Sequence, residues 1–109
     1  MSRVHEVPSG LALQTLLVVA ELDDAAFGLS IRHEVSSRTD HDYSVGAIYT
    51  TLSRLETKGL VTSGLTEPLP VRGGRARKQF MITEAGHRAL ASARRQAQQL
   101  WQPATAEGS

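Results

Sequence analysis

Two groups of side chains in this sequence have types and spacings suited to recognition rather than bond breaking. The first is Ser44, Gly46, Ala47, Tyr49, Thr50, Ser53 and Arg54. Read as a helix at about 100° per residue, Gly46, Thr50, Ser53, Arg54 and Thr57 share one side, opposite Val45, Ile48, Leu52 and Leu55, with Tyr49 on the flank. Small residues near the start of such a helix let its backbone approach a surface closely. The hydroxyls and the guanidinium further along can then pair with base edges in a major groove. An ordinary solvated helix face has the same composition, and Tyr49 can equally be a core residue with its hydroxyl at the surface. The second group is Arg72, Arg75, Arg77 and Lys78, four cations within seven residues around Gly73-Gly74. A flexible cationic loop can lie along phosphates or enter a narrow minor groove. It can also simply be a charged hairpin that resists edge pairing.

Catalytic arrangements fail on inspection, so no enzyme is expected. His33-Glu34 begins like a zinc-protease helix, but Ser37 stands where the second His is needed. No Gly-x-Ser-x-Gly elbow occurs, and Arg72-Gly73-Gly74-Arg75 lacks the Gly-Lys-Ser/Thr end of a phosphate loop. The absence of cysteine removes disulfides, thiol nucleophiles and Cys-based zinc sites, and it fits a reducing compartment. The cytoplasm is the expected location. No metal and no cofactor is expected.

The elements that would position these groups follow from periodicity and punctuation. With 109 residues, of which 40% are hydrophobic and 21% charged, one packed domain is expected, of a size that often gains stability by self-association. Residues 1–8 read as a flexible arm and 102–109 as a disordered tail, leaving 9–101 as the domain. Pro8-Ser9-Gly10 offers cap chemistry for a helix ending near Leu22. Its apolar residues run round nearly the whole circumference, so it must be covered on several sides. The run Leu11 to Ala20 superficially resembles a signal-peptide core, but it is too short to span a bilayer and Gln14 interrupts it. No membrane partner is expected.

Asp23-Asp24 marks a turn, and Ala26 to Ser37 reads as a second helix with Phe27, Ile31 and Val35 along one face. Ser44 is the N-cap of the third helix and Gly59 its C′ residue. Leu60 to Leu65 and Arg77 to Ile82 read as strands of a long hairpin, and Thr83 caps a last helix, residues 84–101. The fold class expected is mostly α with a small β-hairpin, a winged helix-turn-helix with an additional C-terminal dimerisation helix.

Net charge is only +1, but its distribution is uneven. Glu21 to Asp42 carries −4, whereas Ser44 to Arg95 carries +6, the sign a polyanion attracts. The seam Gly86, Leu90, Ala93, Ala97 and Leu100, in alternating steps of four and three, has the spacing of paired helices. A homodimer through Leu13, Leu16, Leu17, Leu90, Ala93, Ala97 and Leu100 is therefore expected; the alternative is that the seam packs on its own first helix. Trp101 ends the seam, where an indole could stack on a small aromatic effector or merely pack the end of the contact.

Ser44-Val45-Gly46-Ala47-Ile48-Tyr49, followed by Leu52, Arg54-Leu55-Glu56 and Gly59-Leu60-Val61, resembles the recognition-helix signature of the PadR family of bacterial transcriptional regulators. Gly74-Arg75-Ala76-Arg77-Lys78 with Ile82-Thr83-Glu84-Ala85-Gly86 resembles that family's wing and the start of its closing helix. The similarity covers about Leu11 to Leu100, in the manner of short members that lack a large C-terminal helical domain. It implies a dimeric repressor that binds double-stranded DNA at an inverted repeat and releases it when a small molecule binds. It also implies that Ser44, Ala47, Tyr49, Thr50 and Arg54 face DNA, with Arg75, Arg77 and Lys78 in the wing. The chain departs from the family pattern at Gly28-Leu29 (usually Gly-Tyr), at Thr50 (commonly Pro) and at Gln79 (often Tyr). Two other functional classes fit the same residues. One is a small-molecule sensor; the other is a protein-interaction module whose acidic second helix suits a basic partner.

Overall fold

The first helix, α1 (Leu11–Leu22), is the hub of the molecule, as its all-round apolar surface requires. In the computed structural model, which describes residues 8–66 and 76–101, α1 packs against α2 (Gly28–Thr39), α3 (Val45–Thr57), the strand β2 (Lys78–Ile82) and α4 (Glu84–Trp101). A single 3-10 turn, Asp23–Ala25, joins α1 to α2, and β1 (Val61–Leu65) pairs antiparallel with β2 from Val61↔Ile82 to Leu65↔Lys78. The core consists of Leu16, Val18 and Val19 of α1, Ala26, Ile31 and Val35 around α2, Ile48, Leu52 and Leu55 of α3, and Val61 and Phe80 of the sheet. Residues 1–7, the hairpin tip with Arg72 and Arg75, and the tail 102–109 lie outside the described residues.

Local chemistry explains most boundaries. The Ser44 side chain accepts the Ala47 N–H at 3.0 Å, capping α3, and Thr83 accepts the Gly86 N–H at 3.0 Å, capping α4. Gly59 leaves α3 at φ 79°, and Asp40 ends α2 in the left-handed region, which a short polar side chain tolerates. At α1 the expected cap differs: Gly10 occupies the N-cap with φ 59° and no side chain caps the helix.

The second helix starts at Gly28, two residues later than its sequence suggests. The Ala26 carbonyl accepts the Phe80 N–H at 2.9 Å, and Phe27 forms a β-bridge with Gln79. The sheet thus draws this segment into an extended conformation, and Phe27 leaves the face formed by Ile31 and Val35. Arg38 binds Glu21 at the end of α1 and Glu34 one turn back at 2.9 Å, contacts that raise its pKa above the usual arginine value, with Glu21 the larger cause. Arg32 meets Asp42 at 3.4 Å. Part of the acidic stretch is therefore neutralised within the subunit.

Candidate nucleic-acid interface

Helix α3 divides sharply into two faces. Ile48, Thr51, Leu52 and Leu55 are buried, and the Thr51 hydroxyl donates to the Ala47 carbonyl at 2.9 Å, so no polar group is left unpaired there. Ser44, Gly46, Tyr49, Thr50, Ser53 and Arg54 are exposed, and Ala47 is half-buried. Val45, expected with the core face, is the first residue of the helix and is 38% exposed.

Tyr49 is neither simply core nor free. Its ring lies on Gly28, where an added Cβ would stand 2.0 Å from the phenolic oxygen, and its centroid is 6.2 Å from that of Phe80. A side chain at residue 28 would have to displace the Tyr49 ring, so the exposed edge of α3 is keyed to the start of α2. The next residue, Leu29, is largely exposed.

The wing places Arg77 and Lys78 at the surface. The guanidinium carbon of Arg77 sits 4.0 Å above the Phe27 ring, and the Lys78 ammonium lies 5.7 Å from the Phe80 ring. Thr66 holds the Arg77 backbone through two hydrogen bonds: its N–H donates to the Arg77 carbonyl at 2.8 Å, and its hydroxyl oxygen accepts the Arg77 N–H at 3.1 Å. The Gln79 side-chain amide donates to the Asp24 carbonyl at 2.8 Å. Sequence reading found Arg77 and Lys78 but missed Phe27, Gly28, Thr66 and Gln79 as their supports. Gly28, the glycine of the pair that departs from the family's Gly-Tyr, and Gln79, where a Tyr is often found, carried the visible signals.

Away from this surface, α1 and α4 enclose an open groove of about 620 Å³, lined by Leu13, Leu17, Leu90, Ala93 and Ala97 among others. Leu16 must be removed from the expected dimer set. It is fully buried in the subunit core and has no surface to offer a partner. Gly86, the first seam position, is also used internally, since a Cβ there would stand 2.3 Å from the Leu60 carbonyl oxygen and 2.5 Å from Ile82. Leu100 and Trp101 are about four-fifths exposed, at 80% and 81%, and Trp101 does not line the groove.

Three helices, a two-stranded wing and a closing helix, with the third helix open along one polar face, define a winged helix-turn-helix protein. The model of the transcriptional regulator PadR-like family matches residues 16–92, and the chain belongs to that family of transcriptional regulators. The fold is similar to that of a PadR-like transcription factor from Bacteroides fragilis at 20% identity, covering 83% of this chain and 82% of that one with a TM-score of 0.69. It is also similar to a PadR-like transcriptional regulator from Bacillus cereus, at 21% identity over 83% of this chain and 82% of that one, TM-score 0.65. A PadR family regulator from Eggerthella lenta, 23% identical over 79% of this chain and 72% of that one, has a TM-score of 0.62. No curated protein matches the chain. Among the described residues, no helix is long and apolar enough to cross a membrane.

Proposed function

We propose that the protein is a cytoplasmic, DNA-binding repressor that acts as a homodimer on an inverted repeat. In this reading α3 enters the major groove and the wing grips the flanking backbone or minor groove. The observation that carries it is the division of α3, with Gly46, Thr50, Ser53 and Arg54 open to solvent along one face, in a subunit whose hairpin also exposes Arg77 and Lys78. A helix whose exposed side is small, hydroxylated and ends in a guanidinium fits base edges. Adjacent cations fit phosphates.

The open α1–α4 groove and the exposed Leu100 and Trp101 support pairing of two subunits. A two-fold axis would place the two α3 helices about 34 Å apart, one turn of DNA, or a multiple of that. The leucines and alanines that line the groove support a small aromatic effector near the dimer axis. The internal pairing of Arg38 with Glu21 and Glu34 makes the acidic stretch a poorer surface for a basic protein partner.

Selection of bound duplexes from a randomised pool, with light-scattering mass measurement of the free protein, tests this reading. An inverted repeat and a dimeric mass are the expected results. A monomer that shows equal affinity for all duplexes overturns it.

A further inference from the structure

We infer that Phe27 is a positioning residue that holds Arg77 ready for a DNA phosphate, an inference that rests on the DNA-binding reading above. The guanidinium carbon of Arg77 lies 4.0 Å over the Phe27 ring. This contact uses the flat face of the guanidinium. Its five N–H donors lie at the edge, in the plane, and stay available for a phosphate. Arg32 and Arg38 differ, because Arg32 directs an N–H to Asp42 and Arg38 directs two to Glu21 and Glu34. Among the described residues, no carboxylate pairs with Arg77.

Phe27 is itself fixed. Its N–H donates to the Ser30 hydroxyl oxygen at 3.0 Å, and its backbone bridges Gln79 of β2, the strand that Arg77 immediately precedes. Thr66, the residue after β1, clamps the Arg77 backbone from the other side of the hairpin. The adjacent residue, Gly28, carries the Tyr49 ring of α3. Arg77 and the exposed face of α3 are thereby held in one frame, which sets the distance between a gripped phosphate and the bases facing Thr50. A side chain whose rotamer is already chosen also loses less freedom on binding.

The test compares wild type, F27L, F27W, R77M and F27L/R77M on a mixed-sequence DNA duplex across a salt series, with thermal melts of each free protein. R77M is expected to reduce the salt slope by about one. F27L is expected to weaken binding roughly two- to fivefold, the scale of an exposed cation–aromatic contact. F27W is expected to bind as wild type, and the double variant no more weakly than R77M alone. A loss from F27L that is the same size in the R77M background overturns the proposal.

A second measurement, on the free protein, is the ring-current displacement of the Arg77 δ-protons, present in wild type and F27W and absent in F27L. Undisplaced protons in wild type overturn the inference even where R77M lowers the slope and DNA binding stands. Displaced protons with an unchanged R77M slope instead overturn the wing's part in DNA binding, and with it the role assigned to Phe27. Should F27L fail to melt cooperatively, F27W and the wild-type proton shifts decide the matter by the same outcomes.

Discussion

Helices α3 and α4 are both amphipathic, but they leave opposite kinds of surface uncovered. On α3 the apolar residues Ile48, Leu52 and Leu55 are used up within the subunit, and what remains outside is Gly46, Thr50, Ser53 and Arg54. On α4 only Gly86 is buried, the residues from Arg94 onward are all exposed, and Leu100 and Trp101 end the helix uncovered. An exposed face of small polar groups costs nothing in water and is poised to exchange its hydration for a polar ligand. An exposed leucine and tryptophan gain when protein covers them, because each apolar area removed from water is stabilising. In the function proposed above, the first surface meets a nucleic acid and the second another copy of the chain.

Substitutions within and between these regions can break that contrast. The largest effect is expected from Leu52→Ala on the closed face of α3, which should cost about 2–5 kcal/mol of unfolding free energy through lost burial and the cavity left behind. Thr50→Ala, half a turn away, should change stability by less than about 0.5 kcal/mol. Denaturant melts of the pair that give similar shifts would mean α3 has no distinct open face.

Next, Gly86→Ala should destabilise by about 1–3 kcal/mol, because the new Cβ meets the Leu60 carbonyl. Gln96→Gly lies on exposed helix outside the groove and should cost no more than about 1 kcal/mol of helix propensity. The same melts report whether α4 is anchored within the subunit at its start.

Arg54→Ala should shift preference among related operators by about 1–3 kcal/mol at one base pair, whereas Lys78→Ala should weaken all sequences alike and reduce the salt slope by about one. Competition binding over an operator library separates the two behaviours, and identical profiles would merge the helix and wing into one non-specific patch. The smallest effect is expected from Glu21→Gln. Loss of this exposed partner of Arg38 should cost no more than about 1 kcal/mol, less at high salt, in the same melts.

The sequence by itself determined the order of elements, the caps at Ser44 and Thr83, and which side of α3 faces outward. Each of these depends on residues within a turn or two of one another: a hydroxyl reaching an N–H three residues on, or apolar side chains recurring at the helical period. Long-range packing decided the rest. Because α1 is apolar all round, its periodicity could not rank its faces, and only its neighbours put Leu16 in the core while Leu13 and Leu17 line the groove. The start of α2 was decided by β2, whose residues lie more than fifty positions away in the chain. Its bonds to Asp24 and Ala26 hold Phe27 in an extended conformation beneath Arg77, and no local propensity encodes a partner that distant.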